Sequence, residues 1–118
     1  MRILLADDET RVRSALRLLL EQLLGQNIVG ETDQAEDLQP MVQATAPDLL
    51  LLDWELPRLK AGLLTSLHAA CPGMKIIALS GRLDAAKTAL TNGADAFISK
   101  SESPDHLLKI LHIIGIKE

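Results

Sequence analysis

Residues 49–53, Leu49-Leu50-Leu51-Leu52-Asp53, decide how the rest of the chain is to be read. Four consecutive leucines show no two-residue alternation, so a strand here must be buried on both faces, as strands of parallel sheets are. A buried helix would be equally apolar, but Asp48 before the run and Asp53 after it cut it to strand length. Outward from this run, short apolar stretches recur at Ile3–Ala6, Asn27–Gly30, Lys75–Leu79 and Ala94–Ser99, separated by longer segments with helical spacing. Five strands alternating with five helices imply an α/β fold with one parallel sheet covered on both faces.

The helix ends agree with this parsing. Gly25, Gly93 and Gly115 each follow a helical pattern, where a left-handed residue is wanted. Pro47 and Pro72-Gly73 end two more helices. Ser103-Pro104 opens the last one, with Ser as N-cap and Pro at the first helical position. Pro40 would lose a backbone bond in a helix begun near Gln34, so that helix is expected to start late or to bend.

A chain of 118 residues is read as one domain, residues 1–118. It is 47% hydrophobic and 24% charged, as ordinary globular domains are, and Trp54 and Phe97 are its only aromatic residues. A net charge of -4 without a basic stripe argues against direct nucleic-acid binding by this domain. The single cysteine, Cys71, cannot form an internal disulfide, and no run approaches the length of a membrane span or a signal peptide. A cytoplasmic location without membrane contact is expected. His68, His106 and His112 share no metal-ligand spacing with Cys71, and no Gly-rich phosphate loop or nucleophile elbow is present.

Ligands of open parallel sheets bind beyond the carboxyl ends of the strands. Here Asp7 and Asp8 follow the first strand, Asp53 the third, Ser80 the fourth and Lys100 the fifth. Three carboxylates brought together repel one another unless a cation neutralises them. Hard oxygen ligands with room for waters and a phosphate suit magnesium. Asp53 would then be a carboxylate nucleophile toward phosphorus, Lys100 would face the new negative charge, and Ser80 would donate a hydrogen bond to it. The work of such a site is positioning and charge neutralisation.

The motifs Leu5-Ala6-Asp7-Asp8-Glu9, Leu52-Asp53-Trp54-Glu55-Leu56-Pro57, Leu79-Ser80-Gly81 and Phe97-Ile98-Ser99-Lys100 resemble, in order and spacing, the landmarks of response-regulator receiver domains of bacterial two-component systems. The resemblance covers the whole chain. It implies a flavodoxin-like (βα)5 fold with the parallel strands in the order 2-1-3-4-5, and a signalling switch phosphorylated by a sensor histidine kinase. It implies Asp53 as phosphoacceptor, with Asp8 and Asp53 binding magnesium directly, Asp7 through water and Glu55 through its backbone carbonyl. It further implies Ser80 as switch hydroxyl, Phe97 as switch aromatic and Lys100 as the phosphoryl-binding lysine. Catalysis would be limited to the domain's own phosphorylation and dephosphorylation.

The chain departs from the family pattern in places. Ser101 follows Lys100 where a proline is common, as in the subfamily whose output is a helix-turn-helix DNA-binding domain, so a DNA-binding output domain outside this chain is an expected partner. Phe97 stands for the commoner Tyr, and the loop Arg58-Leu59-Lys60-Ala61-Gly62 lacks the usual acidic residue before its Gly. Two other functions compete: a phosphorylation-independent interaction or dimerisation module, which the intact acid pair, Asp53, Ser80 and Lys100 argue against, and a metal-dependent phosphatase, for which Glu55 holds the place of the second Asp and the chain leaves little room for a substrate cap. The wide apolar sets of the first helix (Val12, Ala15, Leu16, Leu18, Leu19, Leu20, Leu23, Leu24) and of the last (Leu107, Leu108, Ile110, Leu111, Ile113, Ile114) point to a partner, a homodimer formed either through the first and last helices or through the face of the last two helices and the fifth strand. Glu55 and Arg82, each two residues beyond a site residue and of opposite charge, are expected to pair across the mouth of the site and slow dephosphorylation.

Overall fold

A computed structural model describes residues 1–23, 25–101 and 104–113. Its five strands are β1 (Arg2–Ala6), β2 (Asn27–Thr32), β3 (Leu49–Asp53), β4 (Lys75–Ser80) and β5 (Ala96–Ser99). They form one parallel sheet in the order β2-β1-β3-β4-β5, as the resemblance implied. The helices are α1 (Thr10–Leu18), continued by a π-helical turn at Leu19–Leu23, α2 (Leu38–Thr45), α3 (Leu63–Ala70), α4 (Ala85–Thr91) and α5 (Pro104–Ile113). None is long and apolar enough to cross a membrane.

The leucine run explains the layering. Successive strand side chains point to opposite faces. Leu50 and Leu52 join Leu4, Ile76 and Ala78 beneath α2, α3 and α4. Leu49 and Leu51 join Ile3, Leu5, Ile77 and Leu79 on the other face, against Leu20 and the α5 residues Leu107 and Leu111. All five β3 residues are buried. The helices are anchored unequally: α2 buries Leu38 and Val42, α3 buries Leu64 and Leu67, whereas α4 buries only Ala85 and Ala89.

Pro40 behaves as its chemistry requires. A 3-10 turn at Ala35–Asp37 delays α2 until Leu38, so the proline falls in the first turn, where its missing N–H has no helical partner to lose. Gly25 and Gly93 take positive φ at their helix ends, but α2 ends on Ala46 at φ 45° rather than on a glycine. β5 begins two residues later than its apolar run suggests, because Asp95 turns its carboxylate back to accept a hydrogen bond from the Ile76 N–H at 2.7 Å. The expected cap at Ser103 and stop at Gly115, and the apolar residues Leu24 and Ile114, lie outside the described residues.

Candidate functional site

Sheet order reverses between β1 and β3, and the crevice above that point receives the ends of four strands. Asp7 follows β1 directly, its N–H donating to the Thr32 carbonyl at 3.0 Å, and its side chain is buried. Asp53 is the last residue of β3 and is completely buried. Ser80 ends β4, also completely buried, and Lys100 follows β5, its N–H donating to the Ser80 carbonyl at 2.8 Å. Each strand is held in register by its neighbour, so these side chains inherit the rigidity of the sheet.

The expected convergence of Asp7, Asp8, Asp53 and Lys100 is therefore present. The Lys100 ammonium lies 3.0 Å from Asp7 Oδ2, 3.3 Å from Asp53 Oδ1 and 2.9 Å from Glu9 Oε1. One carboxylate oxygen from each of Asp7, Asp8, Glu9 and Asp53 fits within a mutual distance of 4.8 Å. Glu9 was not singled out from sequence, although it extends the acid pair Asp7-Asp8 by one. Its partner Lys100 is 91 residues away, and only the fold brings the two together.

Asp53 is bound on one side only. Its Oδ1 accepts the Glu55 N–H at 3.0 Å, whereas its Oδ2 is buried and accepts no hydrogen bond. Burial pushes its pKa up from 3.8 to about 6. The Glu55 N–H opposes the rise, the charge of Asp7 adds to it, Lys100 opposes it and Asp8 adds to it. For Lys100, burial disfavours the charge, but hydrogen bonds to Glu9 and Asp7 and the charges of Asp53 and Asp7 outweigh it and hold the pKa above the ordinary lysine value. An acidic cluster of hard oxygens in which Asp53 Oδ2 is buried without a hydrogen bond fits a small divalent cation.

The other rim residues are arranged less simply. The side chain of Glu55 reaches β4: its Oε1 accepts the Ser80 hydroxyl at 2.6 Å and the Gly81 N–H at 3.3 Å. The expected pairing of Glu55 with Arg82 is absent. Arg82 turns to Asp84 at 3.3 Å, because the hydroxyl and amide at the end of β4 offer Glu55 nearer donors. Ser80 Oγ also accepts the Arg82 N–H at 2.9 Å. Phe97 is half-buried and packs on the face covered by α2, α3 and α4. The peptide bond after Lys100 is trans. His68 Nε2 lies 2.9 Å from the Gly93 carbonyl oxygen, which accepts, and 3.5 Å from Asp95 Oδ2, away from the rim, as befits a packing residue.

Comparison with known proteins gives concordant results. The response regulator receiver domain family matches residues 3–112. The chain is 32% identical over 114 residues to the nitrate/nitrite response regulator protein NarL of Escherichia coli K12, covering 93% of this chain and 52% of that protein. It thus spans about half the length of the curated relatives it matches. Among solved structures, a two-component response regulator of the LuxR family from Aurantimonas superposes with a TM-score of 0.85 at 26% identity, over 96% of this chain and 83% of that one. RcsB from Salmonella enterica, bound to promoter rprA in the presence of phosphomimetic BeF3-, superposes with a TM-score of 0.81 at 27% identity, over 95% of this chain and 66% of that one.

Proposed function

The chain belongs to the response regulator receiver domain family, the phosphorylation-dependent switches of two-component signalling, and from that premise we propose that Asp53 is its phosphoacceptor. The observation that carries this reading is the half-bound carboxylate: Oδ1 is fixed by the Glu55 N–H and Lys100, while Oδ2 is buried without a hydrogen-bond partner among acids. A fixed carboxylate with one unengaged oxygen is a positioned nucleophile.

The donor is a phosphohistidine of a sensor kinase. An Asp53 oxygen forms a bond to phosphorus as the phosphorus–nitrogen bond of the donor breaks, and the leaving imidazole keeps the electron pair and gains a proton. Lys100, already within 3.3 Å of Asp53, then faces the charge of the new phosphoryl group, and Ser80 donates its hydroxyl to a phosphoryl oxygen. Asp7, Asp8, Asp53 and the Glu55 carbonyl would hold magnesium, with Glu9 in reach of the same cluster. When bound, the ion supplies positive charge that offsets the crowding of carboxylates and phosphate oxygens. Ser80, drawn to the phosphoryl group, leaves space beside β4 into which Phe97 turns, and that movement is the signal. The chain acts on no substrate other than its own Asp53.

Incubation with acetyl phosphate and magnesium should add one phosphoryl mass. Asp53→Asn or a chelator should abolish it, and an adduct that survives in Asp53→Asn would overturn the assignment. The output is proposed to be a DNA-binding domain elsewhere in the full protein. Self-association is proposed through α1 and α5, where Leu18 is 57% and Ile113 is 75% exposed. Sedimentation that finds only monomer at high concentration, with and without beryllofluoride, would remove the dimer.

A further inference from the structure

The side chain of Glu55 has a place in the site that its proposed backbone role does not explain. Ser80 is completely buried and its hydroxyl is engaged twice: it donates to Glu55 Oε1 at 2.6 Å and accepts from the Arg82 N–H at 2.9 Å. The same Glu55 oxygen receives the Gly81 N–H at 3.3 Å. A carboxylate oxygen thus sits on a hydroxyl and an amide that both end β4, beside the phosphoacceptor. These are the kind of donors an anionic oxygen on Asp53 needs. Two anions cannot share one hydroxyl proton. Meanwhile the Glu55 N–H fixes Asp53 Oδ1, so one residue holds the nucleophile with its backbone and covers the receiving donors with its side chain.

We propose that the Glu55 carboxylate is an internal stand-in for a phosphoryl oxygen, which keeps Ser80 in the resting position until a phosphoryl group on Asp53 displaces it. The proposal rests on Asp53 as phosphoacceptor and adds the competitor that sets the resting state. Nothing obstructs the displacement: Glu55 is exposed at the surface, and its carboxylate returns to water when released. The resting state is therefore held by a bond that a phosphoryl group can replace. Ser80 exchanges one charge-assisted hydrogen bond for another rather than gaining one, so activation starts from a penalty equal to the bond that Glu55 gives up.

The test is a double-mutant cycle on Glu55 and Ser80, read by beryllofluoride binding at saturating magnesium. Trp54, the only tryptophan and the neighbour of Asp53, reports binding by fluorescence. Releasing one charged hydrogen bond should make Glu55→Ala bind beryllofluoride about tenfold more tightly than the wild type. Removing a negative charge would also help any anion, but that general effect persists without the hydroxyl. In a Ser80→Ala background the gain from Glu55→Ala should therefore shrink toward unity. Equal affinity of wild type and Glu55→Ala, or a gain undiminished in Ser80→Ala, overturns the stand-in and leaves the phosphoacceptor assignment intact. Absence of binding in both wild type and Glu55→Ala, with no phosphoryl adduct from acetyl phosphate, overturns both.

Discussion

Replacing Asp53 with Asn should make the unphosphorylated, metal-free domain more stable, and only where Asp53 is ionised. Burial withdraws water from the Asp53 charge and Asp7 repels it, against help from the Glu55 N–H and Lys100, with a net pKa of about 6 in place of 3.8. A carboxyl whose pKa is raised on folding contributes stability at low pH that is lost as pH rises through the folded value. Two pKa units correspond to about 3 kcal/mol above pH 7, and to less than about 1 kcal/mol near pH 4. Asn keeps the oxygen that accepts the Glu55 N–H but cannot ionise. For a chain of this length, about 3 kcal/mol is on the order of 10 °C in Tm. Urea unfolding of both proteins in chelator at pH 4, 5.5 and 7.5 measures the difference directly. The gap should open with pH, and magnesium should close it by stabilising the wild type alone. A gap independent of pH, or an Asn variant less stable than wild type at pH 7.5, would refute the electrostatic account of the site.

Other outcomes follow from the same geometry. Lys100→Met should destabilise the domain by about 3 kcal/mol at neutral pH, since it strips the cation from buried Asp7 and Asp53, and by less near pH 4, where Asp53 takes up a proton; paired urea melts at the two pH values decide. Magnesium should change Trp54 fluorescence saturably in the wild type and not in Asp8→Ala, and an unchanged titration in Asp8→Ala would exclude Asp8 as a ligand. Leu51→Ala, in a strand buried on both faces, should cost about 2–5 kcal/mol in urea unfolding.

What could be read from the sequence was whatever a short segment states about itself. The leucine run bounded by Asp48 and Asp53 announces a central strand, and the polar residue after each apolar run announces the rim. Partners across the rim are different. Glu55 and Arg82 carry opposite charges at matching offsets, yet Glu55 takes the Ser80 hydroxyl and Gly81 N–H because these are closer, a matter of ångströms rather than residue type. Glu9 was overlooked because a third acid after the Asp7-Asp8 pair looks like surface until Lys100 is placed 2.9 Å away. The left-handed Ala46 at the end of α2 was equally invisible, since alanine carries no preference for that conformation.

The unequal anchoring of the helices makes α4 one of the places where the domain yields early. A buried leucine contributes roughly 2–3 kcal/mol and a buried methyl under about 1. α2, α3 and α5 bury large aliphatic side chains, while α4, beside the proposed switch serine, is held by the methyls of Ala85 and Ala89 and leaves Leu90 at the surface, as the turn before it leaves Leu83. The backbone amides of α4 should therefore exchange with deuterium through local opening well before those of β3, which exchange only when the whole domain unfolds. Some of the domain's mechanical softness thus lies next to Ser80, the residue proposed to sense the phosphoryl group. A small change at the end of β4 can be amplified there without disturbing the strand that carries Asp53.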